Sequence, residues 1–204
     1  TPDGYQVGAL CIIGDQVRSF STTDREILKR FSEVVVSQME LRQLASRDSL
    51  TGALTRRAFD QAMFDALEAH RKHGTGATLA IVDVDYFKRI NDSHGHGCGD
   101  DVLVAVTAAL QQALGPGAIV GRLGGEEFGV LIDTADPAHA RETAEAMRTA
   151  VAAARADGRD VAVTCSIGAA PLTARITTAE AWLHAADMAL YAAKAGGRDQ
   201  VVMA

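Results

Sequence analysis

Basic residues are in deficit: the 204-residue chain has 20 Lys and Arg against 26 Asp and Glu, a net charge of -6. That balance denies it the broad cationic field on which non-specific nucleic-acid binding depends. A local cation cluster or a metal can still receive a phosphate. Long apolar runs are also missing. None approaches the roughly 18 residues that span a bilayer. Residues 1 to 20 lack the charged lead and apolar core of a secretory signal. Cysteine is scarce, with Cys11, Cys98 and Cys165 odd in number and far apart. That spacing implies neither a disulfide framework nor a zinc pattern, and reduced thiols in a cytoplasmic protein are the expectation. What remains, 48% hydrophobic and 23% charged, is the composition of an ordinary globular protein.

Among the features present, Arg122-Leu123-Gly124-Gly125-Glu126-Glu127-Phe128 stands out. Apolar runs at Ala118–Leu123 and Phe128–Ile132 read as strands, and paired glycines between strands signal a hairpin. A hairpin tip can aim adjacent carboxylates in different directions, and they repel unless a cation lies between them. An acidic solvated turn is the plain alternative.

Other elements follow from periodicity. Gln6–Gly14 reads as a strand. Thr23-x-x-Glu26 is a capping box that opens a long helix through Ser46. Ile27, Phe31, Val34, Gln38, Leu41 and Ala45 form a coiled-coil seam on it, widened by Leu28, Val35 and Met39. The seam suits pairing with a second copy, with packing against the chain's own domain as the alternative. Asp48-Ser49-Leu50-Thr51-Gly52 breaks that helix. Further helices are expected at 57–73, 86–93, 100–114, 137–156 and 178–195, and strands at 78–84, 161–170 and 200–203. The order α-β-α-α-β-β-α-β-α-β, with an antiparallel hairpin inside it, predicts an α+β sheet flanked by helices.

The chemistry gathers at the ends of these elements. Asp83-Val84-Asp85 closes a buried strand, where charge is costly unless paired or metal-bound. Asp83 and Glu126 together offer hard oxygen ligands suited to Mg²⁺ and a substrate phosphate. Lys88 lies close enough in sequence to reach such a phosphate. Asn91 offers donors and an acceptor. Asp100 could accept the N1–H and exocyclic amine of guanine, which adenine does not present together. His94-Gly95-His96-Gly97-Cys98-Gly99 reads as a loop shaped for ligand approach rather than a metal site. Lys194 and Arg198 flank Ala195-Gly196-Gly197, where they suit either a helix C-terminus or a triphosphate.

Together, the Asp48–Arg57 segment, Asp83–Asp92, Gly95-His96, Gly99-Asp100, Gly124–Phe128, Ser166-Ile167-Gly168, Ala186-Asp187 through Lys194, and Gly197-Arg198 resemble a GGDEF domain, the family of the diguanylate cyclases. The resemblance covers residues 48–204. Residues 1–22 more faintly resemble the end of a GAF sensor domain, with 23–47 as a signalling helix between them.

The resemblance implies a palm-like fold of the ferredoxin-like, class III cyclase kind, with a mostly antiparallel sheet. It implies condensation of two GTP into cyclic di-GMP with release of pyrophosphate. Two copies would meet face to face, each holding one GTP, as a homodimer joined through the N-terminal helix and driven by an upstream sensor domain. Asp83, the Val84 carbonyl and Glu126 would hold Mg²⁺, with Mn²⁺ as an alternative ion. Glu127 would serve a second metal or the 3′-hydroxyl proton. Lys88 would stabilise phosphate charge, assisted by Lys194 and Arg198. Asn91 and Asp100 would read guanine, with Phe87, His96, Gly124 and Gly125 lining the nucleotide site. No nucleic acid and no membrane is implied for this stretch of chain.

Two departures matter. Glu126 stands where Asp is commoner in the family. The Arg-x-x-Asp product-inhibition site common there is replaced at its two key positions by Gly115 and Ala118. A catalytically silent GGDEF domain that binds GTP or a protein is a second reading, and a cyclase making an adenine-containing dinucleotide is a third.

Overall fold

The computed structural model describes residues 19–44, 46–115, 119–155 and 161–204. It divides into two units, Thr1–Ser46 and Arg47–Ala204. The strand expected at Gln6–Gly14, and with it most of the GAF-like stretch, lies outside the described residues.

In the first unit, helix α1 runs Thr22–Leu44. Its capping differs from expectation. The reciprocal bonds join Ser21 and Asp24 rather than Thr23 and Glu26: the Ser21 N–H donates to Asp24 Oδ2 at 2.9 Å, and the Asp24 N–H donates to Ser21 Oγ at 3.1 Å. Serine one place earlier satisfies the same orphan donors. Ile27, Phe31 and Val34 are 60%, 55% and 58% exposed, so an apolar stripe lies open along the helix. The side chains of Met39, Leu41 and Ala45 lie outside the described residues.

The second unit is a six-stranded mixed sheet in the order β1-β3-β4-β2-β5-β6. Its strands are β1 Leu54–Thr55, β2 Thr78–Val84, β3 Ile119–Gly124, β4 Glu127–Ile132, β5 Cys165–Pro171 and β6 Val201–Met203. The central pairings β3/β4, β4/β2 and β2/β5 are antiparallel, and the edge pairings β1/β3 and β5/β6 are parallel. Helices α2 (Arg56–His73), α3 (Phe87–His94), α4 (His96–Leu114), α5 (Pro137–Ala153) and α6 (Ala179–Ala195) flank it. This is the α+β arrangement the sequence predicts.

Strand β2 is buried along its whole length. Its alternation splits the core in two. Ala80, Val82 and Val84 pack with Val102, Val106 and Met147 of α4 and α5. Leu79 and Ile81 pack with Phe59 of α2 and with Trp182 and Leu190 of α6. Burial of a ring such as Phe59 contributes about 1.5–3 kcal/mol. Gly168 is obligatory on β5, because a Cβ there would lie 2.1 Å from the Leu190 backbone nitrogen. The bare backbone lets α6 seat directly on the sheet.

Three expectations need correction. The strand expected from Val161 starts at Cys165, because β2 ends at Val84, the residue paired with Cys165. Strand β1 went unforeseen, since two residues carry no readable alternation. The His94–Gly99 segment is not a loop: α4 begins at His96, with Gly95 at φ 81° making the break from α3. Its first turn is partly buried at Cys98 and Gly99, so those glycines serve helix packing as well.

Candidate active site

Strand register brings the acids together. Asp83, the penultimate residue of β2, is the direct antiparallel partner of Glu127, the first residue of β4. Alternation points Asp83 to the same face as Ile81, toward α6. Glu126 sits in the turn between Gly124 and Glu127, where Gly125 adopts φ 49°. The Val84 N–H donates to the Glu126 carbonyl at 3.3 Å, which holds the hairpin tip over the end of β2.

Like charges directly opposite across a ladder destabilise it unless a cation intervenes. One is present: Lys194 Nζ of α6 lies 2.8 Å from Asp83 Oδ2. Burial pushes the Asp83 carboxyl above the usual range, the ion pair with Lys194 opposes this, and Glu126 and Asp85 add to the rise. Glu127 is likewise raised, by burial and then by the charge of Asp83, with Asp187 and Glu126 contributing. A cavity of about 280 Å³ opens beside this cluster, lined by Arg56, Glu127, Asp187, Tyr191 and Lys194 among others.

The second Asp of the Asp83-Val84-Asp85 motif does something different. Asp85 is buried and accepts from Thr164 Oγ1 at 2.8 Å, Ser166 Oγ at 2.7 Å and the Asp199 N–H at 3.1 Å. Both of its oxygens accept from the protein, so it anchors the turn after α6.

The remaining expected residues fall in two further groups. On α3 and α4, Gly99 fits against Asn91 and Phe87 so closely that a Cβ would lie 2.0 Å from Asn91 Oδ1 and 3.1 Å from Phe87 Cζ. This contact places half-buried Asn91 next to the turn that carries exposed Asp100. Lys88 and His96 are exposed on α3 and at the start of α4. Beyond α6, the Arg198 guanidinium stacks on Tyr86, 4.6 Å from the ring centroid.

Arg122 buttresses the hairpin from behind. Its Nη1 pairs with Asp48 Oδ1 at 3.2 Å and its Nε donates to the Gly125 carbonyl at 3.0 Å. Asp48 is also held by the Thr51 N–H and hydroxyl. Sequence reasoning missed Arg56, Asp187, Arg122 and Tyr86 as neighbours of the site. Arg122 lies close to the glycine pair and Tyr86 follows Asp85 directly, both usable signals; Arg56 and Asp187 reach the cavity through tertiary packing.

Asp83, Glu126 and the Val84 carbonyl are the residues that could hold a divalent cation here, with a substrate phosphate to complete its shell. Among the described residues, no three or more His, Cys, Asp or Glu side chains cluster as a metal cage on their own.

The family model for "Diguanylate cyclase, GGDEF domain" matches residues 45–200, and the chain belongs to that family. It is 36% identical to the probable diguanylate cyclase DgcC of Escherichia coli (strain K12) over 169 residues, 80% of this chain and 44% of DgcC. It is also 36% identical to diguanylate cyclase DosC of the same strain, over 86% of this chain and 40% of DosC. The chain thus spans less than half of the curated relatives it matches. Among solved structures, it resembles the coiled coil and GGDEF domain of DgcB from Caulobacter crescentus in complex with c-di-GMP. That match has a TM-score of 0.76 and 29% identity, covering 90% of this chain and all of the other. Diguanylate cyclase SiaD from Pseudomonas aeruginosa, solved with its activator SiaC, gives 0.74 at 33%, covering 88% of this chain and 70% of that one. Among the described residues, no helix is long and apolar enough to cross a membrane.

Proposed function

We propose that the chain is a diguanylate cyclase that joins two GTP into cyclic di-GMP and releases two pyrophosphates. One observation carries the reading most: Asp83, Glu127 and the Glu126 turn meet at the end of β2, with Lys194 paired to Asp83. Asp83, Glu126 and the Val84 carbonyl would hold Mg²⁺, or Mn²⁺ in its place. A bound ion would supply charge neutralisation at the α-phosphate and a more acidic 3′-hydroxyl.

The chain's own groups would do the rest. Lys88, Lys194 and Arg198 bind phosphate oxygens and offset the charge that grows as pyrophosphate leaves. Glu127, whose affinity for a proton is already raised, accepts the 3′-hydroxyl proton of the guanosine that attacks. Asn91 and Asp100 select guanine, and Phe87, His96, Gly124 and Gly125 line the nucleotide. Each copy of the chain holds a single GTP, so two copies must face one another. The open Ile27, Phe31 and Val34 stripe supports pairing through α1.

We also infer that no Arg-x-x-Asp product site operates. The first key position is Gly115, and the second, Ala118, lies outside the described residues. Incubation with GTP and Mg²⁺, followed by chromatography and mass measurement, tests the main reading. Cyclic di-GMP is the expected product. GTP binding without product would instead mark a silent regulatory domain.

A further inference from the structure

Two arginines share one aromatic ring beside the site. Tyr86, in the left-handed region at φ 55°, lies between β2 and α3 and remains 49% exposed. The Arg198 guanidinium lies 4.6 Å from its centroid, and that of Arg89, from the first turn of α3, lies 4.7 Å away. Arg198 Nη1 also donates to the Tyr86 hydroxyl at 3.4 Å. Two guanidiniums that share one ring carry like charge, and attraction to the ring offsets part of their repulsion.

Several cations around the sheet have carboxylate partners: Arg122 with Asp48, Arg148 with Asp199, and Lys194 with Asp83. Among the described residues, neither Arg89 nor Arg198 is in an ion pair. The backbone keeps Arg198 in place at a cost. Gly197, Arg198 and Asp199 have φ of 120°, 67° and 44° in succession. For the two non-glycines such conformations persist only when the surroundings enforce them. Here the Asp85 carboxylate accepts the Asp199 N–H, and Arg148 binds the Asp199 side chain at 2.7 Å. A strained turn, clamped twice, thus presents an unneutralised cation beside a second one.

We propose that Tyr86 and Arg89 belong to the phosphate-binding half of the site: the ring holds Arg89 beside Arg198 so that both guanidiniums grip the terminal phosphates of a nucleoside triphosphate. Guanidinium forks suit phosphate oxygens, and a polyanion that both contact relieves their repulsion. Arg89 is a direct contact in this arrangement and Tyr86 a positioning residue. The inference rests on the reading that Arg198 faces substrate phosphates.

The test compares equilibrium binding of GTP and GMP, with Mg²⁺ present, to the full chain and its variants. GMP lacks the terminal phosphates and serves as the internal control. Arg89→Gln should weaken GTP about tenfold, the scale of one charge-assisted hydrogen bond, and leave GMP unchanged. Tyr86→Phe keeps the ring and should retain most of the GTP affinity, whereas Tyr86→Leu should lose as much as Arg89→Gln. Arg89 is exposed, so its variant should fold, as a thermal melt would verify. An unchanged ratio of GTP to GMP affinity in Arg89→Gln, or equal losses in the Phe and Leu variants, overturns the inference and leaves the proposed function standing. A parent chain that binds GTP no better than GMP overturns both.

Discussion

Lys194 reaches from α6 to within 2.8 Å of Asp83 on β2, so the last long helix and the central strand share one ion pair at the mouth of the site. The pair joins two motifs more than a hundred residues apart, and it neutralises a carboxylate that its burial alone would disfavour.

Removing the ligand acid should abolish turnover. Asp83→Ala or Glu126→Ala is expected to lower the rate of cyclic di-GMP formation by at least about a thousandfold, because the ion's stabilisation of the transition state is worth several kcal/mol. The fold should survive, as circular dichroism would show. Near-parent rates in either variant would contradict the assignment.

Guanine selection should depend on Gly99 as well as on Asp100. The methyl group in Gly99→Ala would meet Asn91 Oδ1 at 2.0 Å, so Asn91 must move. An overpacked contact of this kind costs roughly 1–3 kcal/mol, and the displaced amide should raise the KM for GTP. Asp100→Ser should leave the fold untouched and narrow the preference for GTP over ATP in a competition assay. An unchanged ratio would remove Asp100 as the base reader.

The Asp48 clamp predicts a pH dependence. Burial raises the Asp48 carboxyl, but hydrogen bonds from Thr51 and the Arg122 guanidinium outweigh that and hold it below its usual 3.8. A depressed acid contributes stability that is fully present above 3.8 and is lost as pH falls through the lower folded value. Asp48→Asn should therefore cost about 1 kcal/mol at pH 7, the range of a partly exposed pair with a local hydrogen bond. The difference in melting temperature between parent and variant should shrink below pH 4. A difference that stays constant to pH 2 would show that Asp48 acts through shape alone.

Product feedback should be weak. Initial rates measured against added cyclic di-GMP should fall only by competition at the substrate site. Low-micromolar inhibition that persists when active-site contacts are mutated would reveal a product site elsewhere.

The stripe on α1 should control association. Phe31→Glu places charge on a residue that is 55% exposed in the single chain and should shift sedimentation toward monomer. Loss of activity with the dimer would tie the two together. Unaltered sedimentation would favour the alternative that the stripe meets the chain's own domain.

Much of this was legible in the residues themselves. The run Leu79–Val82 is apolar without a break because β2 is covered on both faces, and the glycine pair at 124 and 125 marks a turn that needs backbone freedom. Hydrophobic period and turn chemistry are local, so helices, strands and the family motif could be read before any coordinates. Position relative to distant chain is not local. The ring contact between Tyr86 and Arg198, the direct opposition of Asp83 and Glu127, and the anchoring role of Asp85 are set by how distant segments meet, the last two by the register of β2 against β4 and β5. Register depends on which faces become buried together, a property of the assembled sheet that no stretch of sequence carries alone.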